Sequence, residues 1–260
     1  MQALVPMMIF TPTIVNDGRK LYVSPQHISY MTTPNLFQTR FLNQKVKGIE
    51  FLRFFEEQQA ERLRFLTAMR MSATFPYVTP NIKLPSDPVM EIMDAGINDN
   101  FGVSTAIRFI SVFKDWIQEN TSGVVIVSIR DTQKDRPIAK NIEPSLFQRI
   151  FTPLQSIYFN QEYFQDMHND DLAEYAQSWF KEGVKIHRVE FQYVPISKSM
   201  QEIQDKAKGK VKIDPNKIIT IERAALSWHL TKKEKESIIR TIYEMRNQSA
   251  IRQLEQLLNN

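Results

Sequence analysis

Asp94, Asn98, Asp99 and Asn100 crowd into the stretch MEIMDAGINDNFG, with Gly96 and Gly102 among them and an apolar run, MEIM, directly before. Oxygen-bearing side chains at this density can accept a proton from a nucleophile, coordinate a hard cation, or cap a helix. The cation reading fails on spacing. A calcium loop started at Asp94 puts Gly96 at its third position, Asp99 where glycine is needed, and Thr105 where the bidentate glutamate belongs. In an α/β protein, ligands collect at the carboxyl ends of parallel strands, and Asp94 stands at such an end if MEIM is a strand. A carboxylate there can act as a general base. It can equally be a helix-capping turn residue, and on position alone that role is the commoner one, because Asp and Asn favour turns for local hydrogen bonding.

The rest of the inventory narrows the chemistry. There is no cysteine, so disulfides, cysteine–zinc sites and thiol nucleophiles are excluded. His27, His168, His187 and His229 are scattered and form no H-E-x-x-H or His-x-His pair, so each reads as a surface or packing residue. Neither a metal nor a cofactor is expected. Glycines stand at 18, 48, 96, 102, 123, 183 and 209, no two of them four apart. The nucleophile elbow G-x-S-x-G is therefore absent from this sequence, as is a glycine-rich loop.

Several elements must position Asp94. The run ALVPMMIF and then NDGRKLYVS read as two strands joined at Asn16-Asp17-Gly18, a tight-turn signal. From Ile49 to Arg70 the apolar spacing predicts one amphipathic helix. VMEIMD is a short strand, VSTAIRFISVFKDWIQEN a second helix, and GVVIVSIRD a strand whose unbroken β-branched run predicts burial on both faces. Strand, helix and strand in succession predict a βαβ unit with the two strands as parallel neighbours. Helical patterns follow over 144–182, a strand at IHRVEFQYVP, and one last helix from LTKKEKES to the end, opened by a Thr231/Glu234 capping box.

With 42% hydrophobic and 11% aromatic residues, the 260-residue chain can bury a core. No run approaches the roughly 18 apolar residues of a bilayer span, and MQALVPMMIF lacks an export signal, so a soluble or peripheral membrane protein is expected, with the cytoplasm favoured. The net charge of +4 is uneven: residues 198–260 hold 13 Lys/Arg and 8 Asp/Glu, leaving −1 for residues 1–197. Lys206, Lys208, Lys210 and Lys212 alternate there and could meet phosphate or anionic lipid, although such stretches are more often solvated loops. No aromatics interleave them, so nucleic acid is not an expected partner.

The succession of a long helix, MSATFPYVTP and MEIMDAGINDNFGV resembles the carboxyl-terminal half of the patatin-like phospholipase fold. In that family an S-A-x-x-P turn follows a helix, and the catalytic aspartate sits in a D-G-G or D-G-A turn with an asparagine six residues on. Asp94, Gly96 and Asn100 fall on those places, and Val103 matches the residue that opens the next helix. MMIFTPTIVNDGRKLYVS resembles the strand and hairpin between the family's two catalytic residues, and SWHLTKKEKESI a tail of long bacterial members. Ala95 departs from the family's glycine, which costs little if φ there stays negative.

The resemblance implies a three-layer α/β fold with a mostly parallel sheet, incomplete on its amino-terminal side. Residues 1–197 would be the carboxyl-terminal half of the hydrolase domain and 198–260 a basic helical extension. It implies a serine lipid acyl hydrolase working by a Ser–Asp dyad on phospholipid or neutral-lipid esters. Asp94 would be its base, Ala95, Gly96 and Asn100 the supporting turn, and Phe75 and Pro76 the acyl-pocket lining. The serine and its oxyanion loop precede this region in the family, so the chain alone is expected to be inactive and to partner a missing amino-terminal half. The basic carboxyl-terminal region would touch the membrane. The alternative is a catalytically inactive binding or scaffold module built on the same half-fold.

Overall fold

The computed structural model describes residues 6–32, 47–74, 80–134, 146–194 and 229–259, with 146–160 by backbone alone. The chain divides into two compact units, Met1–Val124 with Ile142–Ile186, and Val125–Asn141 with His187–Asn260. Among the described residues the protein is mixed α/β with two open sheets, and no helix is long and apolar enough to cross a membrane.

The first unit is built on a five-stranded sheet of order β3-β2-β1-β5-β4: β1 Thr13–Ile14, β2 Lys20–Tyr22, β3 Gly48–Glu50, β4 Ile82–Leu84 and β5 Met90–Met93. The hairpin turn stands where the sequence puts it. Gly18 takes φ +76°, a conformation closed to most side chains, and the Asp17 carboxylate accepts from the Arg19 N–H and Nε at 3.0 and 2.7 Å. The strand expected at ALVPMMIF does not form there among the described residues: only a bridge from Phe10 to Val23 falls within it, β1 lies beyond it at Thr13–Ile14, and residues 1–5 are outside the described ones.

Two expectations about this sheet are corrected. It is not mostly parallel: β1–β2, β1–β5 and β4–β5 are antiparallel, and only β2–β3 is parallel. Nor is β5 a neighbour of the GVVIVSIR strand. Its two edges are taken by β1 and by β4, a strand only a short loop away, and nearby segments close a hairpin with less entropy loss than a crossover does.

The single helix expected over 49–70 is also broken. It starts as β3, continues as α1 Phe51–Phe54 and two 3-10 turns, and resumes as α2 Phe65–Ser72; Gln59 is left-handed at φ 60°. The reason lies in the core. Phe51, Phe55, Ala60, Ala68 and Met71 are buried together with Ile14, Leu21 and Ile92. A continuous helix that buried Phe51 and Phe55 would carry Gln58 and Arg62 onto the same face, and the break replaces them with Ala60.

Tyr22, on the opposite side of β2 from Leu21 and Val23, packs with Ile28 and Met31 against Phe109 and Val112 of α4, Val103–Asn120. Helices therefore cover both faces of the sheet. Helix α4 matches its sequence pattern, burying Val103, Ile107, Ile110 and Ile117. Helix α5, Leu146–Gln177, realises the helical pattern read over 144–182.

Strands β6 Gly123–Arg130 and β7 Lys185–Gln192 form the second, parallel sheet. β6 is not buried on both faces: Ile126, Ser128 and Arg130 are covered while Val127 is 44% and Ile129 80% exposed. A β-branched run records β propensity, whereas burial is decided by what packs on each face.

The second unit ends in α6 Lys232–Thr241 and α7 Met245–Asn259. The Thr231/Glu234 capping box is present in both directions, but the single helix expected beyond it breaks after Thr241. Asn247 Nδ2 donates to the Thr241 carbonyl at 2.7 Å and Gln248 Nε2 to that of Ile242 at 2.8 Å, replacing the amides a continuing helix would supply. Asn247 is 2% exposed, and its carboxamide also holds the Gln192 N–H and carbonyl, each at 2.9 Å. Asn247→Leu leaves these buried backbone groups unmatched and is expected to cost on the order of 3 kcal/mol, read from the urea midpoint. Asn247→Asp keeps the acceptor for the Gln192 N–H but turns a buried carboxylate oxygen on the Gln192 and Thr241 carbonyls, so at pH 7 it should lose at least as much; a near-neutral effect of either variant would contradict this role.

Candidate active site

Asp94 follows β5 without an intervening residue. Its N–H donates to the Thr74 carbonyl at 2.8 Å, its carbonyl accepts from Thr13 Oγ1 at 2.9 Å, and the Ala95 N–H donates to Ser72 at 3.1 Å. Thr13 and Thr74 are buried, so the backbone at Asp94 is tied to β1 on one side and to the end of α2 on the other. Its carboxylate Oδ1 accepts the Gly96 N–H at 2.6 Å, opening the short α3, Gly96–Asp99. Ala95 lies at φ −62°, ψ −29°, so alanine in place of glycine carries no backbone strain.

Asp94, Gly96 and Asn100, the set that the family resemblance picks out, lie close together. A Cβ on Gly96 would stand 2.6 Å from Asn100 Oδ1 and 2.8 Å from Asp94 Oδ1. The bare Cα therefore lets a carboxylate and a carboxamide close over one backbone position. Gly96→Ala is expected to push one of them away and cost about 1–3 kcal/mol by overpacking, measured as a lowered urea midpoint. A variant as stable as the parent would show that no such close approach exists. Phe75 and Pro76 lie outside the described residues, as do Lys206, Lys208, Lys210 and Lys212.

Helix α5, which no motif links to Asp94, holds this turn from the other side. Gln165 of α5 accepts the Asn100 N–H at 2.9 Å and donates to the carbonyls of Gly96 and Ile97 at 3.1 and 2.9 Å. Gln161, one turn earlier, also donates to the Ile97 carbonyl. Glu162 Oε1 accepts from Asn100 Nδ2 at 3.0 Å, bringing a second carboxylate to Asn100. Only the four-residue spacing of the two glutamines hinted at a shared face.

Asp99 has a different task from Asp94. Its carboxylate accepts from the N–H groups of Ser104 and Thr105 at 3.2 and 2.9 Å, capping α4, and from Thr105 Oγ1 at 2.6 Å. Lys20 reaches it from β2, its Nζ 2.9 Å from Asp99 Oδ2, 2.6 Å from Ser104 Oγ and 3.0 Å from Thr105 Oγ1. Burial pushes the Asp99 carboxyl up, but the Lys20 charge and the hydrogen bonds from Thr105, Lys20 and Ser104 outweigh it and hold the group below its ordinary value. Ser104 beside a lysine resembles a Ser–Lys dyad, which needs a neutral amine. Here Lys20 is ion-paired and its three protons all have acceptors, so the cluster is structural.

Glu50 makes a second buried carboxylate node, with His27 Nδ1 2.8 Å away, the Ile28 N–H donating at 3.1 Å and the Ser29 hydroxyl donating as well. Serine, histidine and a carboxylate are all present, but the carboxylate stands between the other two. A hydrolytic triad needs the imidazole in the middle.

Among the described residues no three His, Asp or Glu side chains gather as a metal site would require. Comparison with protein-family models, with curated proteins and with solved structures finds no match to this chain.

Proposed function

We propose that Asp94 is the general base of a lipid acyl hydrolase of the patatin-like type, acting on ester bonds of phospholipid or neutral lipid with a serine that these 260 residues do not supply in a G-x-S-x-G motif. In this reading the Asp94 carboxylate takes the proton of the serine hydroxyl as it attacks the ester carbonyl. The protonated Asp94 returns that proton to the departing alcohol oxygen as its bond to the acyl carbon breaks, and the carboxylate so regenerated activates the water that hydrolyses the acyl-enzyme. The supporting observation is the preformed turn. A half-buried carboxylate at a strand end is anchored through both backbone neighbours, with Gly96 beneath it and Asn100 six residues on, as the resemblance implies. A base needs such anchoring because its proton acceptor must hold one position relative to the nucleophile.

The second reading, an inactive binding or scaffold module, draws support from the same turn. Asn100 and the carbonyls of Gly96 and Ile97 are engaged by Glu162, Gln161 and Gln165, and β5 has antiparallel neighbours on both sides, unlike the switch point of a doubly wound sheet. Ester hydrolysis by the protein isolated from its natural source, compared between wild type and Asp94→Asn, separates the two. Loss of turnover supports the base, and turnover that is absent in both supports the module.

A further inference from the structure

Helix α2 turns most of its apolar bulk away from the core it packs on. It buries Ala68 and Met71, while Phe65, Leu66 and Met69 stand 51%, 75% and 40% exposed. Positions 65, 66, 69 and 70 are neighbours on one side of a helix, so three large apolar groups and Arg70 form a continuous outward strip. Phe65 is held in place by an edge-on contact with the Phe10 ring, the centroids 5.7 Å apart.

The charge around the strip has one sign. From Arg62 to Ser86 the sequence carries no Asp or Glu, and Arg62, Arg64 and Arg70 are all exposed. None of the three takes part in an ion pair among the described residues. Large apolar groups exposed side by side mark a contact surface, and the arginines beside them narrow the choice of partner. A second copy of the chain fits poorly, because a two-fold contact sets the strip and its arginines against their own kind. An anionic lipid surface fits both features: acyl chains take the apolar groups, and headgroup phosphates take the guanidinium forks.

We propose that α2 is where this protein meets an anionic membrane, with Phe65, Leu66 and Met69 entering the boundary between headgroups and acyl chains and Arg62, Arg64 and Arg70 on the lipid phosphates. The end of this helix is also tied to the candidate base: the Ala95 N–H donates to the Ser72 carbonyl at 3.1 Å and the Asp94 N–H to that of Thr74 at 2.8 Å. The contact therefore sets the Asp94 turn close to the lipid from which an ester substrate is drawn. That last step rests on the reading of Asp94 as a base, whereas the contact itself does not.

The test is sedimentation of the full chain with vesicles, either of phosphatidylcholine alone or of phosphatidylcholine and phosphatidylserine in equal parts. Binding to the mixed vesicles is expected, weaker on the neutral ones and weakened several-fold by raising the salt from about 0.1 to about 0.5 M. Leu66→Ser combined with Met69→Ser is expected to weaken it about tenfold or more, and Arg64→Gln combined with Arg70→Gln about tenfold. Melting temperatures should stay close to wild type, because all four side chains are exposed. Absence of binding to the mixed vesicles overturns the proposal. So does binding that both double variants keep, as they would if the Lys206 to Lys212 stretch carried it. A concentration-dependent dimer in ultracentrifugation that Leu66→Ser with Met69→Ser abolishes gives the strip to a second copy and overturns it too. No readout here depends on turnover, so vesicle binding can hold while Asp94→Asn leaves activity unchanged, and the two readings fail separately.

Discussion

Asp94→Asn is expected to reduce ester hydrolysis by about 10²–10⁴-fold in the protein isolated from its source, the range a positioned general base contributes. Asparagine keeps the shape of the side chain, and its Oδ1 can still accept the Gly96 N–H, so the turn should survive and the melting temperature should move by only a few degrees. Loss of turnover without loss of folding is the signature of a proton acceptor. Undiminished activity in Asp94→Asn would remove the base from the proposal. The 260 residues by themselves are expected to give no turnover, so robust hydrolysis by them alone would overturn the assignment of the serine to a place outside them.

The second large effect is on stability. Lys20→Met strands a carboxylate that is wholly buried, and Asp99→Ala strands the lysine and uncaps α4. Each is expected to cost about 3–5 kcal/mol, because breaking a buried pair leaves an uncompensated charge. Lys20→Met with Asp99→Asn removes both charges yet keeps a capping oxygen, and should recover a good part of that loss in urea unfolding at pH 7. Additive losses in the double variant would mean that the two residues do not act as a pair.

The pair also sets an acid limit. Asp99 is held below its ordinary value of 3.8 in the folded protein, so the unfolded chain binds a proton before the folded one does. Its contribution is complete above that ordinary value and fades as pH falls through the lower folded one. Unfolding curves from pH 6 to pH 2 should show this loss in the wild type, with the Asp99 component missing from Asp99→Asn. Parallel curves would place the acid sensitivity elsewhere.

Wherever neighbours along the chain decide the outcome, the sequence by itself determined what forms. The Asn16-Asp17-Gly18 turn, the length of α4, the strand at MEIM and the Thr231/Glu234 box depend on local hydrogen bonds, φ preferences and an uninterrupted apolar period. Asp94, Gly96 and Asn100 stand close together for the same reason, since they are near neighbours along the chain.

Only the tertiary structure decided what depends on partners far along the chain. The amphipathic period over 49–70 is compatible with one helix, but the burial of Phe51, Phe55 and Ala60 together required a break there. Asn247 broke the last helix by bonding to the end of β7. Lys20 and Asp99 are 79 residues apart, as the pairing across the sheet and the start of α4 brings them together, and no spacing rule connects them. The physical reason is common to all three. Local propensity amounts to tenths of a kcal/mol per residue, while a buried aromatic or an unmatched buried charge weighs several, so packing overrides pattern wherever they conflict.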